Sequence, residues 1–223
     1  MKTICTLFIL TLTTALFAQN PITRQLDDFT TVKAFDRVVI NLVKSETNKV
    51  VISGEDAEDV VVINKDGVLK IRMDFEKIFD GNRTFIHVHY TEIAIIDGNE
   101  GAVITTNELL EQDRIELRVQ EGARITAGLQ VKEANLRAVT GGILEISGRS
   151  DTQNVKVNTG GIYEGRSLET KTSNVKVQAG GDVSLFASEI ANIKIRAGGD
   201  VYVYGNPDQV IKDRVFGGRV KIM

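Results

Sequence analysis

The chain has no tryptophan, two prolines, two histidines and a single cysteine among its 223 residues, and only 6% of them are aromatic. One cysteine excludes a disulfide framework and a cysteine-rich metal site. Scarce aromatics leave few flat platforms of the kind many carbohydrate-binding surfaces use. Charge of one sign is also lacking: 27 Lys and Arg face 30 Asp and Glu, for a net charge of -3. That balance argues against nucleic acid as a partner, because such proteins carry a clear basic excess. Helical periodicity is nearly absent. Beyond the first stretch, no segment approaches the roughly 18 to 20 apolar residues of a membrane-spanning helix.

The first stretch reads as a processing signal. Lys2 supplies a positive start, Ile4 to Phe17 is apolar, and Ala15-Leu-Phe-Ala18 ends in a small residue. Cleavage after Ala18 is expected, with Ala15 as the alternative, since Leu16 is large for its place before the bond. Cys5 opens the apolar stretch instead of following it, which is the wrong place for a lipid acceptor. The expected organisation is a signal peptide over 1–18, a lead-in over 19–28 and one domain over 29–223. Such a chain is exported, and is then periplasmic, associated with the outer surface or secreted. The remainder contains no cysteine, so its stability must come from core packing and backbone hydrogen bonds.

What the chain has is period-two alternation and a repeat. Val38, Ile40 and Leu42, then Ile86, Val88 and Tyr90, then Ile115, Leu117 and Val119 alternate with polar residues, as in half-buried strands. Asp66-Gly67 between Val60–Ile63 and Val68–Ile71 predicts a hairpin. Further on, four segments superpose, each opening on Asn135, Asn154, Asn174 or Asn192 and closing on a glycine pair. Gly141, Gly160, Gly180 and Gly198 begin those pairs, at steps of 19, 20 and 18 residues. Gly217-Gly218 continues the series, while Gly122-Ala123 and Gly101-Ala102 precede it. A period near 19 with two or three short strands per unit predicts a parallel β-helix whose circuits stack at roughly 4.8 Å. A β-propeller blade needs about 40 residues and fits less well. The glycines are placed at corners, and a third, irregular side is expected near Gly148–Gln153 or Ala187–Ala191.

The repeat Asn-Val-Lys-Val-x-Ala-Gly-Gly-Asp-Val, the secretory start and the opening Phe29-Thr-Thr-Val-Lys-Ala-Phe-Asp-Arg-Val38 resemble one family. It is the auto-transporter adhesin "head GIN domain" family, a domain of unknown function common in Bacteroidetes. The resemblance spans about residues 29 to 222. It implies a right-handed parallel β-helix with a more irregular β N-terminal part, and no established activity. The word adhesin reflects analogy of fold, which does not carry function by itself.

Four constellations are candidates for chemistry. Asn135, Asn154, Asn174 and Asn192 form one column, either an amide ladder along the axis or a polar surface for a glycan. Arg118, Arg137, Lys156, Lys176 and Lys194 form an outward column of positive charge. Stacked like charges repel, so this column is either a solvated face or a site for a polyanion. Asp182 and Asp200 occupy equivalent places after the glycine pairs and suggest a Ca²⁺ or acid–base pair, but Arg219 follows in the same column as a ready partner for Asp200. His87 and His89 share one strand face and could chelate a metal with Glu92. No cofactor is implied, and no nucleophile triad or phosphate loop is recognisable.

The first reading is therefore a non-enzymatic exported β-helix that binds a cell-surface glycan or envelope component, or scaffolds there. The alternative is a carbohydrate-active enzyme, a polysaccharide lyase or hydrolase, on the same fold. Self-association through the C-terminal end is a third expectation, because the apolar pair Val220 and Ile222 closes the last repeat. A local cap formed by Pro207 to Val215 is its competitor.

Overall fold

The computed structural model describes residues 20–223, and the expected signal peptide lies outside them. The described residues are 68% strand and 4% helix, wound as a β-solenoid of about seven turns with a repeat near 19 residues. The less regular part holds β1 (Ile22–Gln25), β2 (Thr31–Ala34), β3 (Val39–Lys44), β4 (Lys49–Gly54), β5 (Val60–Lys65), β6 (Val68–Met73), β7 (Thr84–Tyr90) and β8 (Ile95–Gly98). The regular part follows as β9 (Val103–Val119), β10 (Arg124–Val139), β11 (Ile143–Asn158), β12 (Ile162–Gln178), β13 (Asp182–Phe186), β14 (Ile190–Ala197), β15 (Asp200–Tyr204), β16 (Gln209–Phe216) and β17 (Arg219–Ile222).

Two long parallel ladders run along the axis. One, here face A, stacks β6, β2, β8, the C-terminal parts of β9 to β12, then β14 and β16. The other, face B, stacks β7, β3, the N-terminal parts of β9 to β12, then β13, β15 and β17. Gly148 to Gln153, expected to be irregular, instead lies inside β11 and pairs on both sides. The reason is register: successive circuits there differ by at most one residue, so the ladder continues around the bend with one small shift. Ala187 to Glu189 is the break in that side.

The spatial order departs from the sequence at the N-terminal end. β2 sits between β6 and β8, so the circuit made by residues 68–90 lies outside the circuit made by residues 31–44. Beyond it the strands turn antiparallel: β5 on β6, β4 on β7 and β1 on β4. Residues 22–25, within the lead-in, are thus part of a strand layer that closes this end of the parallel stack.

The corners explain the glycine pairs. At Thr159-Gly160 both residues are left-handed, with φ of 49° and 71°, and the Gly161 N–H donates to the Asn158 carbonyl at 3.1 Å. This is the mirror-image tight turn that favours glycine at its second central position. Gly161 has a different duty. A Cβ there would sit 2.2 Å from the Ala138 carbonyl oxygen of the preceding circuit. At this corner the first glycine therefore answers to backbone angle and the second to space, while Gly181 and Gly199 answer to both.

Inward columns fill the solenoid. Leu136, Val155, Val175 and Ile193 stack in register, and none is more than 3% exposed. Tyr163 is fully buried and folds across Gly165, whose missing side chain makes room for the ring. Its hydroxyl donates to Gln153 Oε1 at 2.5 Å, and the two N–H groups of Gln153 Nε2 are shared among Ser173 Oγ, Thr170 Oγ1 and the Phe186 carbonyl. Burial drives the Tyr163 pKa well above its ordinary value. This satisfied polar knot occupies the bend opposite the glycine corners.

Pro207 to Val215 does not fold over the end. Residues 209–216 continue face A as β16, paired with β14. In that circuit the inward positions beyond Ile193 and Ile195 are Lys212 and Arg214, and both are exposed. Inward-pointing charges on an edge strand oppose further strand addition.

Candidate anion-binding groove

Face A brings the asparagine and basic columns together. Along β10, β11, β12 and β14 an outward Asn, an inward apolar residue and an outward cation follow one another. Alternation of the pleat makes this happen, so Asn154, Val155 and Lys156 present polar, buried and exposed side chains in turn. The register then stacks Arg118, Arg137, Lys156, Lys176 and Lys194 one per circuit, with Asp213 next. Between the two columns runs an open groove of about 840 Å³, floored by the strand backbones at Leu136, Val155, Val175 and Ile193.

The asparagines are linked in series. Asn154 Nδ2 donates to Asn135 Oδ1 at 3.1 Å, Asn174 to Asn154 at 3.0 Å and Asn192 to Asn174 at 2.9 Å. Glu133 closes one end, accepting from Asn135 at 3.1 Å and Asn154 at 3.3 Å. The wall is therefore rigid and its amides are aligned.

The cations differ among themselves. Arg118 is paired with Glu116 at 2.7 Å, and that hydrogen bond raises its pKa. Among the described residues, Arg137, Lys156, Lys176 and Lys194 form no ion pair within 4.0 Å. Asp213 is engaged instead by Arg196 at 3.4 Å.

The other sequence candidates are placed as follows. Asp182 and Asp200 are register neighbours, and Arg219 grips Asp200 with two guanidinium nitrogens, one at 2.8 Å. That contact lowers the Asp200 pKa. His87 is exposed and its Nδ1 lies 3.3 Å from Asn41 Nδ2; burial, then Lys49 and His87, lower the pKa of His89. No group of three metal-ligating side chains occurs among the described residues.

Two features escaped the sequence reading. Arg83 gathers Glu55, Asp56 and Asp80 at 2.7, 2.9 and 3.8 Å, from segments that only the irregular end brings together. At the bend away from the glycine corners, Asp113, Lys132, Asp151 and Lys171 form a column of alternating sign. Lys132 contacts Asp113 and Lys171 contacts Asp151, each at 2.8 Å, and these hydrogen bonds raise both lysine pKa values. The 19- and 20-residue spacings of this second column were visible in the sequence, but it carries no single-sign run to draw notice.

Known proteins agree with this architecture. A "putative adhesin" from Bacteroides fragilis superposes with a TM-score of 0.82 at 18% identity, over 92% of this chain and 98% of that one. A "putative adhesin" from Parabacteroides distasonis gives 0.76 at 14% identity, over 92% and 98%. A "putative lipid binding protein" from the same organism gives 0.67 at 16% identity, over 92% and 97%. At these identities the likeness is one of fold. No curated protein matches the sequence. The family model described as "Putative auto-transporter adhesin, head GIN domain" matches residues 28–207, and the chain belongs to that family.

Proposed function

We propose that the protein is an exported, non-enzymatic β-solenoid that binds an anionic component of the cell surface or envelope through the face A groove. One observation carries this reading: four successive circuits each present a cation with no ion-pair partner among the described residues, beside a hydrogen-bonded asparagine wall. A sustained run of one sign raises local potential and draws opposite charge. The adhesin description of the family and the apolar N-terminal stretch support the surface setting. A glycoside hydrolase of the usual kind needs two carboxylates flanking the scissile bond, and Asp200 is committed to Arg219.

Chromatography on an acidic polysaccharide resin tests the binding. The parent protein is retained at low salt and released as salt rises, since exposed charges are screened over about 10 Å at 0.1 M. The triple variant Lys156→Glu, Lys176→Glu, Lys194→Glu is not retained. A parent that flows through at low salt sinks the reading. For export, mass spectrometry of protein from its native host should find Gln19 first; an intact Met1 to Ala18 segment would contradict that part.

A further inference from the structure

We infer that the groove is a ruler for a linear polyanion carrying one carboxylate per unit, of the polyuronate class, laid along the solenoid axis. This rests on the anion-binding reading above and adds ligand class, direction and length. The direction follows from register. Arg137, Lys156, Lys176 and Lys194 are Cα partners in successive circuits, so their charges repeat at the strand spacing of about 4.8 Å. One sugar unit is of comparable length. A compact anion meets one or two of these cations, whereas an extended chain meets all four.

The amide wall adds a second contact per circuit. A side-chain amide has two N–H donors. Asn154 spends both, on Asn135 and on Glu133. Asn174 and Asn192 spend one each on the ladder, which leaves the other for a carboxylate bound at Lys176 or Lys194. The ladder fixes those amides before the ligand arrives, so little side-chain freedom is lost on binding.

The length follows from what bounds the run. At one end Glu116 occupies Arg118, and at the other Asp213 takes the place of the next cation. Both of these charges are already paired, Glu116 with Arg118 and Asp213 with Arg196, so a polyanion that overruns them meets no further unpaired cation in this column among the described residues. Four cations unpaired among the described residues lie between, spanning three spacings or roughly 14 Å.

Oligogalacturonates of two to six sugars, titrated against the protein by calorimetry, test the ruler. From two to four sugars the affinity should rise by about tenfold or more, as linked contacts add. From four to six it should change by less than about twofold. The Asp213→Lys variant, at an exposed site, should move the plateau from four sugars to five. The Lys156→Gln, Lys176→Gln variant should flatten the length dependence while melting as the parent does. Affinity independent of length, or a rise that continues unbroken to six, overturns the ruler. So does lysine-dependent binding of inorganic phosphate or of phosphatidylglycerol vesicles that exceeds the tetramer; in that case the anion groove stands and the polymer reading falls. No binding of any of these anions would instead remove the anion groove itself.

Discussion

Two columns of charge run along this solenoid at the same spacing, and only one is neutralised. At the bend away from the glycine corners, Asp113, Lys132, Asp151 and Lys171 alternate in sign and pair at 2.8 Å. On face A, Arg137, Lys156, Lys176 and Lys194 share one sign and form no ion pair within 4.0 Å among the described residues. Both columns stack one residue per circuit, so the winding itself does not impose like-charge stacking. The same circuits that relieve repulsion at one edge keep it at another. Exposed pairs contribute little to stability in either case, and like charges directly opposite cost a few tenths of a kcal/mol. The contrast therefore bears on binding far more than on folding.

The largest expected effect tests the frame that both columns share. Val175 is stacked between Val155 and Ile193 and is 3% exposed. Val175→Asp places a carboxylate in an apolar column with no partner, which costs several kcal/mol. Thermal melting should show it, and polyanion retention should be lost with the fold. A variant that melts like the parent would mean that the inward register, and with it the facing of Lys176, is misassigned.

A smaller effect tests the corner that sets the rung spacing. Gly160→Ala meets open space and bears only the left-handed backbone, a cost of about 1–2 kcal/mol. Gly161→Ala brings a Cβ to 2.2 Å from a backbone oxygen of the neighbouring circuit, which cannot move without opening the ladder. Gly161→Ala should therefore be the more destabilising of the two in urea unfolding. The reverse order would place the steric demand on the wrong glycine.

Much of this was legible because a repeat constrains many positions at once. Period and alternation together lead to the parallel stack, the inward valines and the outward lysines. What could not be read was anything that needs contact between unlike segments. Nothing in Val68 to Tyr90 announces that its circuit lies outside that of Val32 to Lys44. At five of the corners the first left-handed residue is Glu100, Glu121, Thr140, Thr159 or Ala179, types that do not advertise a positive φ. The knot of Gln153, Tyr163, Thr170 and Ser173 joins positions that look like ordinary strand polar residues until the chain is wound. On face A both columns were visible, but the groove between them appears only when their strands are placed side by side.

The smallest effect probes the comparison most directly, because the two columns should respond with opposite signs. Lys176→Glu sets a carboxylate between Lys156 and Lys194, replacing two repulsions with two attractions. Stability should rise by a few tenths of a kcal/mol. Asp151→Lys removes the partner of Lys171 and puts a third cation beside Lys132. Stability should fall by a similar amount. Urea unfolding at low and high salt reads both, and both differences should shrink as salt screens them. Shifts of the same sign would show that local packing, not charge order, governs these edges. If Lys176→Glu stabilises the protein while weakening its retention on an acidic polysaccharide, the repulsive column is a feature kept at the expense of stability, as residues that serve binding often are.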